Sequence, residues 1–186
     1  MSPTLDLRAQ LSKLLRERSV RHGDFVLASG RRSSFYVDAR LTTMSGEGLA
    51  LIGALGLERL QSRGWQPQLV GGLTLGADPV AYAIAFAARA RGVALDAFTV
   101  RKQAKDHGTQ RRIEGCFAPG ARVVVVEDVL TTGRSALDAL AAVKAEGGHV
   151  LGVLTVVDRQ EGGEAALEQA GYQVEALVTA RDLGLG

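Results

Sequence analysis

The stretch Val123-Val124-Val125-Val126-Glu127-Asp128-Val129-Leu130-Thr131-Thr132-Gly133-Arg134-Ser135 decides the fold class of this 186-residue chain. Four β-branched residues in succession, with no polar alternation, predict a strand buried on both faces, as a central strand of a parallel α/β sheet is. Glu127 and Asp128 are read as ending that strand. A short loop with hydroxyls and one glycine follows, and Ser135 to Glu146 then has helical spacing and composition.

A loop that opens a helix aims unpaired backbone N–H groups and the positive end of the helix dipole at one point, which suits a phosphate monoester. Thr131, Thr132 and Ser135 add hydroxyl donors, and Gly133 lets the backbone approach closely. Glu127 and Asp128 would repel that phosphate; they suit sugar hydroxyls, or a metal that bridges to them. Phosphate on one side and vicinal hydroxyls on the other describe ribose 5-phosphate. Any buried strand followed by a turn and a helix shares the bare layout, but adjacent acids at a strand's carboxyl end, where open α/β sheets place ligands, favour the ligand reading.

Length and composition bound the rest. The chain suits one domain with a full core, and 46% hydrophobic with 23% charged residues is ordinary globular composition. A net charge of +2 does not by itself imply nucleic acid. The single cysteine, Cys116, excludes an internal disulfide, fits a reducing compartment and is expected buried as a small apolar residue. No run approaches the ~18 apolar residues of a membrane span, and Met1 to Arg8 lack the apolar stretch of a signal peptide. The expectation is a cytoplasmic protein with no membrane partner.

Upstream, Leu7, Leu11, Leu14 and Leu15 predict an amphipathic helix ending near Ser19. Asp24 to Arg40 reads as a hairpin with a Ser/Gly/Arg turn, and Ser45 to Gly64 as a helix. A strand at Gln68 to Gly72 leads through Leu73-Thr74-Leu75-Gly76-Ala77-Asp78-Pro79 into a helix from Pro79 to Arg91, with Asp78 as its cap and the alanine-rich helix packed on the sheet. After a strand at Asp96 to Val100, Arg101 to Gly115 forms a long loop with five Lys/Arg and one His within twelve residues. Such a loop inside a compact domain is functional or a solvated surface; a nucleic-acid patch is disfavoured because no aromatic residues interleave with the charges. Gly148 to Asp158 is another buried strand, followed by a helix at Glu164 to Ala170 and a strand at Tyr172 to Thr179.

The segment Val123 to Ser135 resembles the phosphoribosyl-pyrophosphate (PRPP) motif of type I phosphoribosyltransferases, and the hairpin and Arg101-Lys102-Gln103-Ala104-Lys105-Asp106-His107-Gly108 resemble one branch, the orotate phosphoribosyltransferases. The resemblance implies that family's fold, a mainly parallel sheet flanked by helices on both faces. It implies one domain over 1–186, with a core at about 42–158 and a small hood from about 1–41 and 159–186. The implied reaction turns orotate and PRPP into orotidine 5′-monophosphate and pyrophosphate, in pyrimidine nucleotide synthesis. Mg²⁺ would be bound mainly through PRPP rather than by a protein cage, in a homodimer whose loop reaches the neighbouring site.

By the same resemblance Lys102, Lys105, His107 and Asp128 are catalytic. PRPP falls to Arg101, Lys102, Lys105, His107, Thr74, Leu75, Glu127, Asp128 and the loop Val129, Leu130, Thr131, Thr132, Gly133, Arg134 and Ser135. Orotate falls to Thr131, Tyr36, Val37 and Arg159, the last gripping its carboxylate. Some members carry a PRPP-contacting lysine where this chain has Ala28, before Ser29-Gly30. A phosphoribosyltransferase for another base, and a PRPP-sensing regulator that binds nucleic acid, remain as alternatives.

Overall fold

Residues 3–26, 32–103 and 112–185 are described in the structure, a computed structural model. The chain builds helix α1 (Pro3–Arg18), strands β1 (Val20–Val26) and β2 (Arg32–Val37), helices α2 (Arg40–Thr43) and α3 (Gly46–Ser62), β3 (Leu69–Leu73), α4 (Ala77–Ala90), β4 (Asp96–Val100), β5 (Ile113–Gly115), β6 (Arg122–Leu130), α5 (Arg134–Ala145), β7 (His149–Asp158), α6 (Gly163–Gln169) and β8 (Val174–Thr179). Six strands form one sheet in the order β5-β4-β3-β6-β7-β8, all parallel except β5, which runs antiparallel to β4. β1 and β2 pair antiparallel as a separate hairpin.

The four valines of β6 explain why this strand is central. Val124 and Val126 join the apolar cluster with Leu11, Ile52 and Ile84 on one face, while Val123 and Val125 join Phe98, Leu140 and Val143 on the other. All four are fully buried. Burying each contributes roughly 1.5–3 kcal/mol, so the pleat is stabilised from both sides. Helices α1, α3 and α4 cover the first face and α5 and α6 the second.

Several local readings are corrected. Glu127 and Asp128 do not end the strand: β6 continues to Leu130, still paired with β7, Leu130 opposite Asp158. Asp78 is not a cap, because α4 begins earlier, after Gly76, and Asp78 lies inside its first turn. The expected packing of α4 on the sheet holds, with Val80, Ala81 and Ile84 buried against Val70, Val124 and Val126, while Tyr82 and Phe86 of the same helix stand 53% and 78% exposed. Cys116 is exposed, because the chain leaves the sheet just after the short edge strand β5. That strand, inside the stretch read as a loop, was not expected. The C-terminal tail does not lie wholly in the hood, since β8 is the last strand of the main sheet. No helix among the described residues is long and apolar enough to cross a membrane.

Candidate active site

β3 and β6 lie side by side and parallel, but the chain leaves β3 toward β4 and β6 toward β7, in opposite directions. Loops that diverge from neighbouring strands leave a crevice at their carboxyl ends, and here it is a cleft of about 350 Å³. Its lining comes from Thr74, Leu75 and Gly76 after β3, Lys102 after β4, Glu127 to Val129, Thr131 and Ser135 around the end of β6, Arg159 after β7, and the segment from Tyr36 to Arg40.

Glu127 and Asp128 form the floor. Burial raises the carboxyl of Glu127 well above its ordinary value, and the neighbouring Asp128 charge and a hydrogen bond between the two carboxyls push the same way. Burial also raises Asp128, against the pull of the Val129 backbone N–H, which donates to Asp128 Oδ1 at 2.9 Å. A nearby hydrogen-bond donor or cation favours the charged forms of such a pair and opposes the upward shift.

Beside them, residues Val129 to Ser135 line a smaller recess of about 70 Å³ that also touches Glu127. Gly133 adopts φ 81°, a left-handed conformation that turns the chain directly into α5 and that a side chain would resist. Thr131 and Ser135 line both the recess and the cleft, at the join between the two.

The opposite wall is the loop after β3, whose Thr74–Leu75 peptide bond is cis. The Asp78 carboxylate ties it down, accepting from Thr74 Oγ1 at 2.7 Å and Thr99 Oγ1 at 2.9 Å. Gly76 is needed for a close approach: a methyl there would lie 2.5 Å from Asp128 Oδ1, so the loop and the acid pair pack with no room for a side chain.

Arg159 closes the far end. Its backbone N–H donates to the Leu130 carbonyl at 2.9 Å, and the next residue, Gln160, turns the chain at φ 57° with its N–H on Asp158 Oδ1 at 2.8 Å. The guanidinium lies 4.8 Å over the Phe35 ring, and Nη2 donates to Glu161 Oε1 at 2.7 Å and to Ser33 Oγ at 3.5 Å. Nε is buried and has no hydrogen-bond partner among the described residues. A buried guanidinium with an unsatisfied donor beside a cleft is arranged for an incoming acceptor.

The cleft thus gathers Tyr36, Val37, Thr74, Leu75, Lys102, Glu127, Asp128, Val129, Thr131, Ser135 and Arg159, and the recess adds Leu130, Thr132, Gly133 and Arg134. Arg101 is not in the cleft lining; its Nη1 faces Glu114 Oε1 at 3.4 Å. Lys105, His107, Ala28, Ser29 and Gly30 lie outside the described residues. Sequence reasoning missed Asp38 and Arg40, a cleft-lining pair joined at 2.9 Å. It also missed Phe35, which a period-two reading of β2 would have found, because Ser33, Phe35 and Val37 are the more buried set of alternate residues on that strand. Nothing local marks Arg40.

Residues 46–170 match the family described as phosphoribosyl transferase domain. The chain is 51% identical over 178 residues to the orotate phosphoribosyltransferase of Mycobacterium tuberculosis (strain ATCC 25177 / H37Ra), covering 96% of this chain and 97% of that protein. The crystal structure of the Mycobacterium tuberculosis H37Rv orotate phosphoribosyltransferase in complex with Fe(III) dicitrate is similar with a TM-score of 0.86 and 50% identity, covering 96% of this chain and 99% of that one. The same enzyme in complex with PRPP gives a TM-score of 0.81 at 46% identity, covering 96% and 99%. With identity this high along nearly its whole length, and with the strand-order reversal, acid pair and loop–helix recess in one cleft, the chain belongs to the phosphoribosyltransferase family, in its orotate phosphoribosyltransferase branch.

Proposed function

We infer that this protein transfers the 5-phosphoribosyl group of PRPP to N1 of orotate, giving orotidine 5′-monophosphate and pyrophosphate, as a step of pyrimidine nucleotide synthesis. The observation that carries the reading is the single cleft in which a buried acid pair, a loop–helix recess and a buried arginine with a free donor converge. The recess takes the 5-phosphate, the acid pair the ribose hydroxyls, the loop Thr74 to Gly76 the diphosphate, and Arg159 with Tyr36 and Val37 the planar acidic base. The test is the loss of orotate absorbance with PRPP and Mg²⁺, run beside uracil, adenine and hypoxanthine. Turnover of orotate alone is expected; turnover of a purine without orotate would sink the reading.

Displacement at the anomeric carbon leaves positive charge on the ribosyl group and negative charge on the departing diphosphate. Glu127 and Asp128 face the first and Lys102 the second. Lys105 and His107 are assigned to the same leaving group by the family resemblance. The acid pair, whose carboxyls burial raises, would accept a Mg²⁺ ion that arrives with PRPP. When bound, the ion supplies positive charge to the diphosphate as it departs.

The protein works as a cytoplasmic homodimer with shared sites in this reading. The bare apolar face of α3 and α4, with Leu49, Ala50, Tyr82 and Phe86 around a groove of about 440 Å³, supports pairing. The lone cysteine supports a reducing compartment, which cell fractionation checks. Mixing a Lys105→Ala variant with an Asp128→Asn variant is expected to restore part of the activity, because hybrid dimers regain one intact site. No recovery from the mixture counts against shared sites.

A further inference from the structure

Arg112, at the foot of β5, reaches in two directions. Toward α5, Nη1 and Nη2 donate to Asp138 Oδ1 and Oδ2 at 3.0 and 2.8 Å, a two-pronged pairing that lysine cannot copy. Toward the end of β4, Nε and Nη2 donate to the Arg101 carbonyl at 3.1 and 3.0 Å, and Nη2 reaches the Lys102 carbonyl at 3.5 Å. The main chain completes the tie, with Arg101 N–H donating to the Arg112 carbonyl at 2.8 Å. Glu146, just past the other end of α5, accepts from the backbone N–H groups of Arg112 and Ile113 at 3.0 and 3.2 Å.

One helix therefore touches both ends of the site. α5 starts at Arg134, the residue after Gly133, so its first turn borders the recess read as the 5-phosphate site. Asp138 lies one turn further in and, through Arg112, holds the backbone of residues 101 and 102. Lys102 is the member of that segment that lines the cleft, while the side chain of Arg101 turns to Glu114. The Arg112–Asp138 pair is partly exposed, with side chains 27% and 43% accessible, and a pair so exposed adds little to folding. Its geometry has more consequence for where Lys102 sits than for whether the chain folds.

We propose that Arg112, clamped by Asp138, is a positioning residue for Lys102, so that α5 sets the distance between the 5-phosphate recess and the cation facing the diphosphate end of PRPP. The proposal rests on the reading of the cleft as a PRPP site. Asp138 stays ionised throughout the working range, because the Arg112 guanidinium holds its carboxyl below the ordinary value.

The test measures PRPP binding to the full-length protein by calorimetry with Mg²⁺ and no base, so a wrong choice of base does not affect it, and a wild type that binds no PRPP refutes the cleft reading itself. Asp138→Asn and Arg112→Lys are each expected to weaken PRPP roughly tenfold, a loss of the size that one charged contact carries. Circular dichroism and the melting midpoint stay close to wild type. The deciding measurement is a double-mutant cycle: on a Lys102→Ala background, Asp138→Asn is expected to cost nothing more, because its effect passes through the missing side chain. A full additional tenfold loss on that background, or unchanged PRPP affinity in both single variants, overturns the proposal.

Discussion

Replacing Arg159 with alanine raises the KM for orotate on the order of 10²-fold and leaves the KM for PRPP within about twofold, because truncating a buried, charge-assisted contact costs about 2–5 kcal/mol. The environment of the side chain gives the reason. Its guanidinium is stacked over Phe35 and held by Glu161, while Nε, buried, keeps a donor with no acceptor among the described residues. In the proposed site a planar carboxylate on the base would satisfy that donor, whereas a neutral pyrimidine would leave it unmet, so the wild type is expected to reject uracil strongly. Arg159→Lys should recover little, since an ammonium reproduces neither the fork nor the stack. Steady-state kinetics with each substrate varied in turn decides the matter: an orotate KM within threefold of wild type in Arg159→Ala would remove Arg159 from the base site.

The second large effect belongs to the acid pair. Asp128→Asn and Glu127→Gln should each lower kcat/KM for PRPP by roughly 10- to 10²-fold, the worth of a hydrogen bond to a charged acceptor. In the wild type, PRPP affinity should climb as pH rises through the range to which burial raises the pair. The sign follows from the direction of the shifts. Burial raises both carboxyls, so a ligand that pairs with their charged forms, as proposed for the ribose hydroxyls, is expected to favour loss of a proton from the pair. Binding then releases a proton, which calorimetry in two buffers of different ionisation enthalpy reads directly. The phosphates of PRPP titrate in the same range, so the comparison is with Glu127→Gln, in which the pair's share of the release is gone. Equal proton release in both proteins would exclude the acid pair as its source.

The same shift bears on stability. An acid raised in the folded state contributes stability that is present below its unfolded value and lost as pH rises through the folded one. At pH 8 the substrate-free Glu127→Gln variant should therefore melt no lower than wild type, and higher if the cost of ionising Glu127 dominates, despite its expected loss of activity. The site keeps a pair of acids whose burial works against their ionisation, a familiar conflict between activity and stability.

Much of the fold was legible because it depends on local pattern. The strands at 96–100 and 149–158 and the helices at 46–62 and 134–145 fell within a residue or two of expectation, since apolar runs and helical spacing report burial and period directly. The errors share a cause. Glu127 and Asp128 read as the end of a strand because charge normally stops one, yet β7 pairs with β6 out to Leu130 and carries the acids into the cleft on a strand. Asp78 has the look of a cap, but its carboxylate is taken by Thr74 and by Thr99, 21 residues away.

The sequence by itself determined an α/β chain with a doubly buried central strand, the loop and helix that follow it, and the inventory of groups able to bind phosphate, sugar hydroxyls and an acidic base. Those are properties of neighbours along the chain, where spacing and side-chain chemistry suffice. Only the tertiary structure decided which of them meet. The reversal of strand order between β3 and β6 opened the cleft there, and Phe35 and Glu161 turned one arginine among many into a buried fork. Arg40 with Asp38 entered the lining, and Asp138, a helix turn from the recess, took hold of the segment bearing Lys102 through Arg112. Contacts across such separations in the chain arise from the packing of whole layers, and no local stretch carries them.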